Sequence, residues 1–292
     1  MFLINVNDIP DIITSTAKLF ADDTKIYRPI NNVEDSIALQ IDLTLDLWAD
    51  RWQVKFNSTK CEVMRISHNK DKRSTRYNIS GTVLRNVSNY KDLVVIMASD
   101  VKWSKHVEQI IHKASRVLFL LKRPEGGKNK DIFSMFYKTL VRPILEYACP
   151  VWSPHLDKDI NEIENVQRGA SRIALDHRRQ EMAYEERCKI LNWNTLVKRR
   201  DFLSLVEYYK IVFNLNGLKF NDCFELCKNT KSRSNHPYKL QTKLAKLNCY
   251  KNYFFVRIIK PWNDLPINVF NFRDSPNVSK FKLRLKNLMN IY

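Results

Sequence analysis

Hydrophobic and polar positions fall into two successive patterns along the chain. Near its start, Lys18-Leu19-Phe20-Ala21 and Thr24-Lys25-Ile26-Tyr27 read as two short strands around a tight connection. Residues 36–52 then place Ile37, Ile41, Leu45, Trp48 and Trp52 at near-helical spacing, which predicts one amphipathic helix. Four short runs follow, at 54–56, 61–66, 76–79 and 93–97, rich in β-branched residues and separated by Asn, Ser, Lys and Gly. They read as strands of an antiparallel sheet with the helix on one face, so residues 1–100 form an α+β unit.

From Trp103 the pattern becomes helical. Ser104 is placed to cap a helix whose stripe is Val107, Ile110, Ile111, Ala114, Val117, Leu118 and Leu121, and Gly126-Gly127 ends it. A second helix starts at Asp131 with Ile132, Phe136, Tyr137 and Leu140 expected inside, and Pro143 breaks or kinks it. A third begins near Asp157, with Ile160, Ile163, Val166, Ala170 and Ile173 inward. Residues 184–213 are helical again. Beyond 215 the pattern weakens, and only 254–259 and 280–289 carry recognisable order.

Charge separates the same regions. The chain of 292 residues carries a formal +18, yet residues 1–100 hold 13 basic and 13 acidic side chains, so the whole surplus lies in 101–292. A basic block behind a neutral, carboxylate-bearing block points to a polyanion, and nucleic acid is the expected one. No run approaches the 18 or so apolar residues of a membrane span, which argues against a membrane partner. The six cysteines are scattered without a disulfide framework, as in an intracellular protein of the cytoplasm or nucleus. Cys223, Cys227, His236 and Cys249 could imitate a zinc cluster, but their spacing matches no tight zinc pattern.

The most informative local feature is Phe20-Ala21-Asp22-Asp23. Asp is depleted in strands, and adjacent carboxylates repel unless a cation or solvent intervenes. At the tip of a hairpin the pair presents hard oxygen ligands suited to Mg²⁺; the competing reading is a solvated Asp-Asp turn. On the polar sides of the helices, Lys105, Lys113, Arg116, Arg168, Arg172, Arg178, Arg179, Lys198, Arg199 and Arg200 are candidate phosphate contacts, or else solvated surface. Trp103, Trp152, Trp193 and Trp262 fit core positions better than base-stacking platforms.

Residues 2–30 (FLINVNDIPDIITSTAKLFADDTKIYRPI), 39–67 (LQIDLTLDLWADRWQVKFNSTKCEVMRIS), 90–123 (YKDLVVIMASDVKWSKHVEQIIHKASRVLFLLKR), 136–174 (FYKTLVRPILEYACPVWSPHLDKDINEIENVQRGASRIA) and 254–285 (FFVRIIKPWNDLPINVFNFRDSPNVSKFKLRL) together resemble the back half of a reverse transcriptase from a non-LTR, jockey-like retrotransposon. The resemblance implies a fold of partial palm (1–100), helical thumb (101–180) and basic C-terminal region (181–292). It implies that Asp22 and Asp23 bind the catalytic Mg²⁺ ions of nucleotidyl transfer, with an RNA template and a DNA primer, or their hybrid, as partners. Lys60 matches the lysine that neutralises or protonates the leaving pyrophosphate. Leu93 and Val94 occupy the primer-contacting turn, where Val94 replaces the family's Gly, a residue that tolerates positive φ.

The family completes its metal site with a third Asp on a strand well upstream. Only 21 residues precede Asp22, so that Asp, the fingers and the nucleotide pocket are expected to be missing, and the chain is expected not to synthesise DNA by itself. The alternatives are a non-catalytic RNA- or DNA-binding module and a relic of a decayed element.

Overall fold

A computed structural model of the chain describes residues 7–21, 23–67, 75–122, 129–175, 182–227, 237–242, 244–270 and 276–291. The fold combines helices with small sheets, as an α+β reading requires. Two compact units divide within a hairpin: the first comprises residues 1–90 and 98–100, the second 91–97 and 101–292.

The first unit opens with a single turn, α1 (Ile9–Ile12), and the hairpin β1 (Thr16–Phe20) and β2 (Asp23–Tyr27), antiparallel with Thr16 opposite Tyr27 and Phe20 opposite Asp23. Helices α2 (Val33–Asp42) and α3 (Asp46–Trp52) follow where one helix was expected over 36–52. The break has an electrostatic cause. The Asp42 carboxylate is buried and accepts hydrogen bonds from the Thr14 amide (2.9 Å), the Thr14 hydroxyl (3.0 Å) and the Ser15 amide (2.7 Å), while Arg28 Nη1 lies 3.7 Å away. Burial alone would raise the Asp42 pKa, but the bonds from Ser15 and Thr14 outweigh it and hold the group below the ordinary range. Turning Asp42 and Ser36 inward leaves Ile37 and Ile41 outside, 55% and 65% exposed, against the amphipathic pattern.

Leu45, Trp48 and Ala49 of that stretch pack with Ile9, and Trp52, Val54 and Phe56 gather around them. Residues 54–56 are therefore no strand: Gln53 takes a left-handed conformation that ends α3, and Phe56 sets its ring 5.8 Å from Trp48. The remaining strands are β3 (Glu62–Met64), β4 (Asn78–Ile79), β5 (Thr82–Val83), β6 (Arg85–Val87), β7 (Asn89–Asp92) and β8 (Val95–Ala98). They form separate pairs and no single antiparallel sheet; β3 runs parallel to β6, and β4 is antiparallel to β5.

The second unit is helical: α4 (Ser104–Lys122), α5 (Lys130–Phe136), α6 (Arg142–Glu146), α7 (Cys149–Trp152), α8 (Asp157–Ala174), α9 (Tyr184–Leu191) and α10 (Leu196–Val212). In α4 the expected stripe is inside, with Val107, Ile110, Ala114 and Leu118 buried and Ile111, Val117 and Leu121 packed against them. Ser104 is already helical, and its hydroxyl donates to Asp159 Oδ2 (2.8 Å), tying α4 to α8. Gly126 and Gly127 lie outside the described residues. Of the residues expected inside this stretch Tyr137 is buried, with Phe133, Val141 and Leu145 beside it, whereas Ile132, Phe136 and Leu140 are exposed. A π-turn at Tyr137–Val141 connects α5 to α6 and shifts the register just ahead of Pro143, whose missing N–H the widened turn tolerates.

A buried polar chain knits these helices. The Tyr137 hydroxyl donates to Gln167 Oε1 (2.9 Å), and Gln167 Nε2 donates to the Tyr184 hydroxyl (2.7 Å) and the Asn194 carbonyl (2.9 Å). Tyr184 donates in turn to Glu164, which also accepts the Leu196 amide (3.1 Å) at the start of α10. Burial, reinforced by the Glu164 charge, pushes the Tyr184 pKa far up, so the phenol stays a donor.

Beyond α10 the chain builds a second apolar cluster from α11 (Phe220–Cys223), α12 (Asn248–Lys251), α13 (Phe254–Arg257), α14 (Ile259–Asn263) and α15 (Val278–Leu288). Trp262 is fully buried there between Tyr208 (4.4 Å between ring centroids) and Phe270 (4.9 Å), and Tyr209 stacks on Phe281 at 4.1 Å. More of residues 215–292 is ordered than the weak pattern predicts, because short helices hold aromatic groups too irregularly spaced to show a period.

The hairpin β7–β8 turns through Leu93 (φ +43°) and Val94 (φ +75°), the φ pattern of a type I′ turn, which favours Gly, Asn or Asp. A β-branched residue there is strained. Next to it, the Ile96 amide donates to His106 Nδ1 (3.2 Å) on α4; the ring is buried at 4.8 Å from Trp152, and Nε2 has no hydrogen-bond partner among the described residues.

Three outcomes follow from this packing. Gln167→Leu strands the Tyr137 hydroxyl and the Asn194 carbonyl, and should cost about 3 kcal/mol in denaturant unfolding. Val94→Gly should stabilise the protein by roughly 1 kcal/mol, read as a raised melting temperature. Burial pushes the His106 pKa from 6.5 down to about 4. Its neutral form contributes stability above pH 6.5 that is lost as pH falls toward 4, on the order of 3 kcal/mol in all; melting curves across that window should lose this slope in His106→Gln.

Candidate functional site

The candidate residues fall into two groups by unit. In the first, β1 and β2 close with Phe20 opposite Asp23, and Ala21, which follows β1, adopts φ +52°. Asp23 is exposed at the closing pair opposite Phe20, itself exposed. Asp22 lies outside the described residues. Lys60 is exposed in a 3₁₀ turn, Ser58–Lys60, which opens with the Lys60 amide donating to the Asn57 carbonyl (3.0 Å).

The metal question turns on what stands beside Asp23. Among the described residues no three His, Cys, Asp or Glu side chains gather in metal-binding geometry. Asp11 is exposed on α1, and Asp42 is committed to Thr14 and Ser15. Of the adjacent carboxylates Asp22 and Asp23 expected to bind metal, Asp23 is the one among the described residues. Two carboxylates fit Mg²⁺, which is usually held by one or two of them, its own waters and substrate phosphates. For the cysteine cluster, Cys227 and Cys249 are half-buried, and His236 lies outside the described residues.

In the second unit the basic candidates separate into exposed and internal ones. Lys105, Lys113 and Arg116 are exposed on α4, where the spacing of 105, 109, 112 and 116 keeps Lys105, Gln109, His112 and Arg116 on one face, with Lys113 beside them. Arg172 is exposed on α8. Arg168 donates to Asn165 Oδ1 (2.8 Å) and stands 5.2 Å over the Tyr184 ring. Lys198 Nζ donates to the Asn290 carbonyl (3.2 Å). Arg178 and Arg179 lie outside the described residues.

Arg199 and Arg200 turn inward. Arg199 forms a two-pronged ion pair with Glu146, Nη2 to Oε2 at 2.8 Å and Nε to Oε1; the Glu146 contact overcomes the penalty of burial and raises the Arg199 pKa. Arg200 is 2% exposed. Their adjacent charges mark a polar face in sequence, but α10 has apolar clusters packed on it from both directions. Of the tryptophans, Trp152, Trp193 and Trp262 are buried, and Trp103 packs against the first of these clusters.

Sequence reasoning also left out Lys280, Lys282 and Lys286, exposed along α15 around the buried Phe281 and Leu285. Their alternation with apolar positions was the available signal. Arg187 and Arg257, by contrast, gave none. Arg187 is buried, donating to the Ser171 hydroxyl (3.0 Å) and the Met182 carbonyl, and Arg257 reaches the Pro150 carbonyl (2.7 Å), contacts that only the tertiary fold creates.

No family model matches the chain, and no solved structure matches it. Over 153 residues, 51% of its length, it is 27% identical to the RNA-directed DNA polymerase from mobile element jockey of Drosophila funebris, of which the match covers 17%. The likeness supports a distant relationship to reverse-transcriptase-type proteins.

Proposed function

We propose that this chain is a portion of a retrotransposon-type RNA-directed DNA polymerase that binds a template-primer duplex and does not copy it as an isolated 292-residue polypeptide. The likeness to the jockey polymerase over half of the chain carries this reading. It is supported by the β1–β2 hairpin, whose closing pair includes Asp23, and by the exposed basic residues of α4.

In this reading residues 1–100 belong to the palm and 101–180 to the thumb, with 181–292 as a basic C-terminal region. Asp22 and Asp23 would hold Mg²⁺, which when bound supplies charge stabilisation for nucleotidyl transfer. Lys60, exposed and flexible at its ammonium end, would offset charge on departing pyrophosphate. The Leu93-Val94 turn would meet the primer with its backbone. Lys105, Lys113 and Arg116 would lie along phosphates of an RNA–DNA hybrid, with Arg172 and Arg168 adding to the same basic surface.

Binding to an RNA–DNA hybrid, followed by fluorescence anisotropy across a salt series, should weaken steeply with salt. The double variant Lys113→Ala, Arg116→Ala should lower the log–log salt slope by about 2, roughly one per lost phosphate contact. A flat salt response would remove the binding reading. In a primer-extension assay with Mg²⁺ or Mn²⁺, the purified chain should incorporate no nucleotide; template-dependent extension abolished by Asp22→Ala would show instead a competent polymerase.

A further inference from the structure

The second unit carries an open pocket of about 330 Å³ bounded by α8, α10, the segment following α7, and the α12 to α14 region. Arg200 and Arg257 both line it. Arg200 is 98% removed from solvent, and its Nη1 makes no hydrogen bond among the described residues. Burying a guanidinium N–H without an acceptor is costly, and a charged one more so. Arg257 is held in place by the Pro150 carbonyl (2.7 Å), the Ser204 hydroxyl (3.4 Å) and the Phe254 ring, 5.6 Å from its guanidinium carbon. Burial lowers the pKa of both arginines, more than the neighbouring Asp201 carboxylate offsets.

One carboxylate, Asp201, also lines the cavity, and it is exposed to solvent. Against two guanidiniums it leaves the lining one positive charge in excess. His155 and Asn252 add hydrogen-bonding groups, whereas Ile160, Ile258 and Pro261 supply apolar wall. A bare inorganic anion would leave most of this volume unfilled; the size is that of a small organic ligand.

We propose that this cavity is a binding site for a phosphomonoester carried on a nucleotide, with the phosphate against Arg200 and Arg257 and the sugar or base against the apolar wall. Guanidinium forks suit phosphate oxygens, and the anion would complete the donors that the protein leaves open. Asp201 competes with that anion for the same two cations. The phosphate has two possible sources: a free nucleoside monophosphate, or the 5′-phosphorylated end of a nucleic-acid strand. Only the second rests on the function proposed above.

The experiment compares binding of the full chain to a short labelled oligonucleotide with a 5′-phosphate and to the same strand with a 5′-hydroxyl, and separately titrates adenosine 5′-monophosphate by calorimetry. The 5′-phosphate should tighten binding about tenfold or more, the scale of a charge-assisted contact. Arg257→Met should abolish that preference, and Asp201→Asn, which leaves both arginines in place, should enlarge it. Adenosine monophosphate binding with the same variant pattern, and without any preference among oligonucleotides, would support the site with a free nucleotide as its ligand. Equal binding of both strands together with no monophosphate binding would overturn the site, while salt-dependent hybrid binding could still stand. A phosphate preference unchanged in both variants would overturn it equally.

Discussion

The buried amide of Gln167 is the constraint on which the helical unit depends. It sits on α8 with one oxygen and one nitrogen to satisfy, and it answers to three segments at once: the π-turn through Tyr137, α9 through Tyr184 and the loop before α10 through Asn194. Apolar contacts are non-directional and tolerate sliding; a fully satisfied polar chain in a dry interior does not. Glu164 extends the chain by accepting the Leu196 amide, so the first turn of α10 is placed by the same network. Everything downstream, including the aromatic cluster packed on the far part of α10, inherits that placement.

Much of this organisation is legible in sequence where one helix buries one face. The stripe of α4 is of that kind, as is the Ile163, Val166 and Ala170 face of α8. Legibility fails where a polar group sets the orientation. Asp42 rotates α2 so that Ser36 and Asp42 are inside and two isoleucines are out, an inversion that hydrophobic periodicity cannot anticipate. It fails again along α5 and the π-turn, where Phe133, Val141 and Leu145 are buried and Ile132, Phe136 and Leu140 are exposed. Charge is the least legible of all. Arg199 and Arg200 look like surface cations because arginine usually is one, yet α10 is covered on both sides and turns them into internal groups.

The two hairpins that carry the most suggestive residues share a physical feature. Ala21 and the pair Leu93 and Val94 all hold positive φ without being glycine. A tight two-residue connection between twisted strands demands that conformation, and the flanking pairing enforces it. At Val94 the demand falls on a side chain branched at Cβ, which suffers most in that region. The observed dihedral is one that glycine adopts without strain, and the residue present does not match that need.

The net charge of +18 therefore overstates what is available to a polyanion. Arg187, Arg199, Arg200 and Arg257 are committed to the interior, bound to Ser171, to Glu146, to the cavity wall and to Pro150. Removing them from the count leaves exposed cations spread along the chain, with rows of them on the outer face of α4 and along α15. Helical surfaces of that kind follow a phosphate backbone without reading bases. The internal arginines do something different: a guanidinium fixed by a carbonyl or carboxylate is rigid, and rigidity is what discriminates one anion from another. Exposed and internal basic residues are thus separate sets, and α10 shows the step between them: Lys198 is half-buried with its ammonium on the Asn290 carbonyl, and Arg200 is fully inside.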